Sequence, residues 1–507
     1  MTKKCLSMAM LAGVSAVAMT IAMPLAAHAD DYTDLLDLLR AKGTISRADY
    51  NRLMAKHEHT SMSTMSSTST QSMAEQAQQA AERAQAAAQM AQEMETQTQA
   101  MIHNTNMVTA DPFTPGKGVT IHAGGVEVNF SGFVNGFYVF NAPMSGTPVA
   151  GGLSSGGSGF DSSSVRNGLL PGALITKFST TLDGYDVAAV FGMYPGIDNA
   201  DTGALNANNG GEPVALGTPG IDFRQLYITI GNKDMGTFKV GRDIGMFGAD
   251  AILNDQTLIG VGSTGSNVNP GNTSLGRIGI GYVYTDWLPQ ISYTSPSLNG
   301  FTIGAGVFQP LDEFSFSGLS ASADEHRAPM FQGQLEYKNK FGDLTTHFWA
   351  DFLVQPQSNI EGTDLIESSS SVTAVAGDGG VSLNYGPLGV VVYGYRGSGL
   401  GTTGLFFDGI AENGKARDSD GGYVQGSWNV TPKFKLVGSY GISDLYLAPG
   451  EVNPLLVRRN ESEVGGVYYN LNAWMTLVGE YTHTMSYAHG GDTASDNTFA
   501  LGTILMF

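Results

Sequence analysis

Residues able to do acid–base or nucleophilic chemistry are few and scattered along this chain. Beyond residue 300 the available bases are His326, His347, His483 and His489. None can be spaced with a serine and a carboxylate into the nucleophile–base arrangement that covalent catalysis needs. The single cysteine, Cys5, precedes an apolar run near the N-terminus, so disulfides, thiolate metal sites and cysteine nucleophiles have no residues to use. His57 and His59 flank Glu58, but two histidines in a polar segment are more often solvated than metal-bound. Gly- and Ser-rich stretches such as 151–159 lack the strand–loop–helix context of a phosphate cradle. No catalytic residue, cofactor or metal is therefore expected. The remaining chemistry is electrostatic: Lys177, Lys239 and Lys435 each have parity opposite to their apolar neighbours.

The elements that must position these charges begin with an export signal. Lys3 and Lys4 precede an apolar run from about Met8 to Leu25, and Ala27 and Ala29 stand before Asp30 at the small-residue positions of a cleavage site. Cys5 lies ahead of the apolar core, where a lipoprotein anchor cannot use it. A net charge of −20 and a pI near 4.7 argue against nucleic acid as a partner. The chain carries 67 Gly, 24 Phe and 20 Tyr, and its mean hydropathy is −0.05. Past residue 29 no apolar run approaches the ~18 residues of a spanning helix. A large secreted β protein or a membrane barrel fits this balance, because barrel strands alternate apolar and polar residues.

Composition divides the chain into a signal peptide (1–29), a short helical hairpin (30–58), a Ser/Thr-rich linker (59–71), a helix (72–107), a second linker (108–125) and a strand-rich region (126–507). In the hairpin, Leu35, Leu36, Leu38 and Leu39 form an apolar face, and Ser46 with Asp49 makes a capping-box-like start before Tyr50, Leu53 and Met54. In the longer helix, Met73, Ala77, Ala80, Ala84, Ala87, Ala91, Met94, Thr98 and Met101 recur at alternating spacings of four and three. This is a heptad seam, and a coiled coil built on it would use copies of the same chain. A lone solvated helix is the alternative, since Ala buries little.

From Val126 onward, short and long connections alternate strictly. Tight turns fall at Asp183-Gly184, Asn232 to Gly236, Ser297 to Gly300, Asn339 to Asp343, Tyr385 to Leu388, Thr431 to Lys433 and Asn470 to Asn472. Long polar segments include 141–171, 196–220, 244–286, 397–420 and 444–459. Tight turns on one rim and long loops on the other are the pattern of an all-β, antiparallel transmembrane barrel. The strands number sixteen, and an even count brings the last strand end to the side of the N-terminal helices. Alternation, as in Tyr185, Val187, Ala189, Phe191 and Met193 against Asp186, Ala188, Val190 and Gly192, would also suit a β-sandwich. The C-terminus favours the barrel: Phe499, Leu501, Thr503, Leu505 and Phe507 alternate up to a final aromatic.

That ending resembles the signal read by the outer-membrane barrel assembly machinery. The segment FRQLYITIGNKDMGTFKVG, Phe223 to Gly241, followed by Arg242, resembles the general trimeric porins of Gram-negative bacteria, as do Ser295-Pro296 before Leu298-Asn299-Gly300-Phe301 and the later Gln309-Pro310. A coiled coil ahead of a sixteen-stranded barrel is similar to the DcaP-type porins. The stretch 32–54 is similar to the N-terminal segment of phosphate-selective porins. The resemblance implies a homotrimer in outer-membrane lipid with its helices in the periplasm.

It also implies that the loop after Gly241-Arg242, residues 244–286, folds inward and narrows the pore. Ile244 to Gly276 contains no Lys or Arg but includes Asp250 and Asp255. The facing wall would draw on Lys177, Lys239, Arg242, Arg277, Arg396 and Lys435. An acidic loop opposite a basic wall sets up a transverse field at the constriction. Arg242 shares the parity of Phe238 and Val240, so it reaches the lumen only if Gly241 marks a bulge. The function implied is passive diffusion of small hydrophilic solutes or ions, with the basic wall favouring small anions or carboxylates. An outer-membrane barrel enzyme, and a tether or adhesin using the coiled coil, are the competing readings.

Overall fold

The computed structural model describes residues 36–42, 46–60, 83–96, 108–112, 114–156, 160–197, 221–265, 273–363 and 371–507. The export signal, most of the Ser/Thr linker and the outermost heptad positions lie outside them. The chain divides into two compact units, Met1–Thr98 and Gln99–Phe507.

In the first unit a helix spans Arg47–Thr60. It starts as the Ser46/Asp49 spacing predicts: the Asp49 amide donates to Ser46 Oγ at 3.2 Å, and that hydroxyl donates to the Asp49 carboxylate at 2.6 Å. The helical residues 36–41 pack back on it, with the Tyr50 hydroxyl donating to Asp37 at 2.7 Å and the Arg40 guanidinium 4.9 Å from the Tyr50 ring centre. Residues 83–96 are helical, and the seam residues Ala84, Ala87, Ala91 and Met94 are all exposed in the single chain.

The second unit is a closed antiparallel barrel of sixteen strands. These are β1 (Val126–Gly146), β2 (Ala173–Leu182), β3 (Tyr185–Pro195), β4 (Ile221–Asn232), β5 (Gly236–Ile244), β6 (Trp287–Thr294), β7 (Phe301–Phe308) and β8 (Met330–Phe341). The circuit continues through β9 (Leu344–Glu361), β10 (Val372–Tyr385), β11 (Leu388–Ser398), β12 (Asp418–Asn429), β13 (Phe434–Leu445), β14 (Val457–Asn470), β15 (Met475–Ala488) and β16 (Thr493–Met506). Each strand pairs with the next, and β16 closes on β1 with Leu505 opposite Val134 and Phe499 opposite Phe140. Closure of the sixteen strands on one another removes the unpaired edges that an open sheet would leave in lipid.

β1 runs into the segment 141–171 expected as a long loop, held there by β16 as far as Gly146 opposite Ala494; a short strand, Ser162–Arg166, pairs with its Phe137–Asn141, and another, Ser322–Glu325, pairs with β9 out to Glu361. The segment 108–125, expected as a linker, instead carries two strands. Val108–Ala110 pairs with Val119–Ala123, which pairs in turn with β1. Turn chemistry matches backbone geometry at Asp183-Gly184, where both residues have positive φ, 51° and 82°, as a two-residue hairpin requires.

Side-chain alternation sorts the barrel inside out relative to a water-soluble fold. Phe191, Ile228, Phe348, Phe352, Val390, Val392, Phe499 and Leu501 point outward and stay exposed, whereas Gln332, Thr346, Asp351, Gln425, Ser443 and Thr482 are buried facing the lumen. With lipid as the outer solvent this arrangement places apolar surface where it costs least. The largest buried apolar cluster lies inside the barrel. It packs Met246, Phe247, Ile252, Tyr282 and Tyr284 from the β5–β6 loop against the inward rings of Trp349, Tyr393, Tyr395 and Tyr423.

Candidate pore constriction

The β5–β6 loop crosses the lumen. Its neck closes where the Gly245 amide donates to the Asp286 carbonyl at 2.9 Å. A short helix, Ala249–Asn254, follows, and then a tight turn, Gln256–Ile259, capped by Asp255 through the Thr257 amide at 3.0 Å. Backbone groups inside the lumen have no sheet to join, so inward side chains of the wall satisfy them. Gln332 on β8 accepts the amides of Met246 and Phe247 at 2.7 and 3.0 Å, and Asp378 on β10 accepts Gly248 at 2.9 Å. Tyr423 on β12 donates to the Ala251 carbonyl at 2.8 Å, and Gln425 bridges Asn254 and Gln256. At the far side Glu480 on β15 accepts the amides of Val261 and Gly262.

These anchors decide where the expected charges go. Asp255 is 3 % exposed; it caps its own turn and accepts the Tyr282 hydroxyl at 2.9 Å. Burial pushes its carboxyl up, against the charge of Arg277 and the Thr257 hydroxyl. Asp250 is turned to the β8–β9 wall, where Gln334 donates to it at 3.0 Å and His347 lies 3.7 Å away. Burial pushes Asp250 up as well, with His347 opposing. Both acids are buried against protein, which corrects the expectation of an acidic loop face.

Several basic candidates are also reassigned. Arg277 is fully buried, donating to Ser439 and Ser462 on β13 and β14. Burial draws its pKa down while the charge of Asp255 holds it up. It locks the loop and does not face solute. Arg396 shares the outward face of Val390 and Val392 and is exposed, so it lies off the lumen. The ladder runs through Gly241 without an extra residue, from Tyr227 opposite Gly241 to Leu226 opposite Arg242. No bulge therefore turns Arg242 inward, although its charge reaches Asp222.

Lys177, Lys239 and Lys435 do take the inward parity. Lys435 donates to Gln256 on the loop at 2.6 Å. Lys239 pairs with Asp243 and stands 5.0 Å from the Tyr227 ring centre. Lys177 lines a cavity of about 800 Å³ at the tight-turn rim, together with Glu127, Ser179, Ala188, Thr229 and Thr237.

A further cation, Arg224 on β4, escapes the sequence reading. It is 5 % exposed, 3.4 Å from Asp222, with its guanidinium 5.3 Å from the Tyr194 ring centre. It borders a smaller cavity of about 220 Å³ lined by Leu169, Tyr194, Leu253, Leu258 and Trp287. Its neighbour Phe223 points outward, which is the parity signal for Arg224; an irregular register between β3 and β4 breaks that pattern at Gln225. Lys177 thus borders one cavity, at the tight-turn rim, and Arg224 another, between the wall and aliphatic side chains of the loop.

A family model described as Gram-negative porin matches residues 80–489. No curated protein sequence matches the chain. Among solved structures, the outer membrane channel DcaP of Acinetobacter baumannii superimposes with a TM-score of 0.55 at 15 % identity, over 76 % of this chain and 98 % of that one. OmpF of Salmonella typhi, in complex with daunomycin, gives 0.48 at 12 % identity over 76 % and 100 %. At these identities the DcaP match shows a shared fold.

Proposed function

The chain belongs to the Gram-negative porin family, and on that premise we propose that this outer-membrane diffusion channel prefers small anions, carboxylates among them. The supporting observation is that the inward cations Lys177 and Arg224 each border a cavity, with Lys239 of inward parity on β5. Two of these cations are partly balanced by Asp222 and Asp243, so the preference is a graded one. Solutes pass by restricted diffusion, and the low-dielectric surround strengthens the field they cross.

Reversal potential in a KCl gradient tests this reading. Purified protein in a planar bilayer should favour chloride over potassium, and Arg224→Gln or Lys239→Gln should shift the ratio toward potassium several-fold. A cation-selective parent would overturn the reading.

Three further assignments belong to the same proposal. The exposed stripe Ala84, Ala87, Ala91 and Met94 forms a coiled coil between copies in a homotrimer. The N-terminal helices stand in the periplasm, and Phe499, Leu501, Thr503, Leu505 and Phe507 form the signal for barrel assembly. Deleting residues 30–107 should abolish the coiled coil and leave the pore conducting. A tether would lose its role in the same variant.

A further inference from the structure

Away from the passage, the wall behind the loop concentrates acids. Asp351 on β9 lies opposite Gln334 on β8 and opposite Asp378 on β10. Glu336 stands on β8 and His347 on β9, and the loop delivers Asp250 to the same patch. His347 Nε2 lies 3.0 Å from Glu336 Oε1 and 3.7 Å from Asp250 Oδ1. One donor atom from each of Asp250, Glu336 and His347 falls within 4.8 Å of the others. Two carboxylate oxygens and one imidazole nitrogen are a donor set for a first-row divalent ion.

A second observation is independent of that triad. Asp351 is 6 % exposed and lies against Asp378 and Gln334, with no donor at full hydrogen-bond geometry to either oxygen. The charge of Asp250 reaches it. Asp378 takes the Gly248 amide and the Tyr393 hydroxyl on one oxygen and has only Asp351 beside the other. Lys338 pairs with Glu336, and its charge reaches Asp250. Four carboxylates therefore gather about one ammonium and one imidazole. Burying carboxylates without compensation is costly, and a dication would supply the compensation.

We infer that Asp250, Glu336 and His347 bind a divalent transition-metal ion that staples the lumen loop to β8 and β9, with Asp351 as an outer carboxylate. The ion would fix the short helix Ala249–Asn254 against the wall and so hold the passage at one width. The site lies apart from Lys177, Arg224 and Lys239, so its failure would leave the selectivity proposal standing.

Zinc is the probe. The full chain, carrying His57→Gln and His59→Gln to remove the other paired histidines, is stripped with chelator in detergent and titrated with Zn²⁺ by calorimetry. One ion per chain is expected at micromolar or lower concentration. His347→Gln and Glu336→Gln should each weaken binding at least about tenfold, since loss of even an outer-shell partner reaches that range. His483→Gln on β15 should leave binding unchanged. Heat-modifiable mobility on gels reports whether each variant has folded. A second measurement needs no variant: Zn²⁺ should quieten open-channel current fluctuations in the parent, and chelator should restore them. Absence of Zn²⁺ binding in the parent, or binding undiminished in folded His347→Gln, would overturn the inference.

Discussion

Gly260 and Glu480 approach so closely that a methyl group on the glycine would meet the carboxylate at 2.2 to 2.4 Å. The contact lets one oxygen of Glu480 accept both following amides, at 2.6 Å from Val261 and 3.2 Å from Gly262. It fixes the Gly260–Gly262 stretch of the lumen loop to β15, across the barrel from its neck.

Removing that acceptor should free this stretch. Glu480→Ala strands two buried donors, each at a cost of about 1–3 kcal/mol, and Gly260→Ala breaks the same approach sterically. Both variants are expected to unfold at a lower temperature, followed by circular dichroism in detergent, and to show larger and noisier conductance. A quiet, parent-like channel in both would mean that the loop is held elsewhere.

Arg277 and Asp255 form a buried charge couple within the loop. Arg277→Met leaves Asp255 without its counter-charge, a change of the kind that costs about 3–5 kcal/mol. The double variant Arg277→Met, Asp255→Asn should recover much of the loss. Thermal midpoints of the parent, both single variants and the double variant give the coupling; additive losses would contradict it.

The loop between β7 and β8 should respond to pH through Glu313. Burial pushes this carboxyl well above its usual 4.5; the Ile410 amide opposes that effect and the charge of Asp408 adds to it. The folded state then keeps a proton that an opened loop releases. Stability of this layer is full below about 4.5 and falls as pH rises toward the raised value, by about 1.4 kcal/mol per pH unit. Hydrogen exchange at residues 310–323, corrected for its intrinsic pH dependence, should quicken accordingly in the parent. In Glu313→Gln the slope should vanish.

Phe507 continues the ladder beyond β16, exchanging backbone hydrogen bonds with Gly132 at 3.0 and 3.1 Å. Its ring sits 6.5 Å from that of Trp474. Deleting it removes both closing bonds and the terminal aromatic. Outer-membrane abundance in cells should fall several-fold, while refolding of purified chain into detergent changes little. Equal losses in both assays would assign Phe507 to stability alone.

The sequence by itself determined the barrel. Strand periodicity is local: Phe499, Leu501 and Phe507 share a face whatever surrounds them, and turns such as Asp183-Gly184 carry their own backbone preference. All sixteen strands, and the loop that fills the lumen, were legible from such short-range signals and the resemblance they supported. Tertiary structure decided which charges meet the passage. Asp250 is claimed by Gln334 on β8, and Arg277 by Ser439 and Ser462 on β13 and β14, partners 84 to 185 residues away. Arg224 follows the parity set by outward Phe223, but the irregular register beside it breaks that parity against Leu226, which also points outward. A charge on a long loop has no periodicity to fix its direction, so only the wall across the barrel can decide whether it faces solute or holds the loop in place.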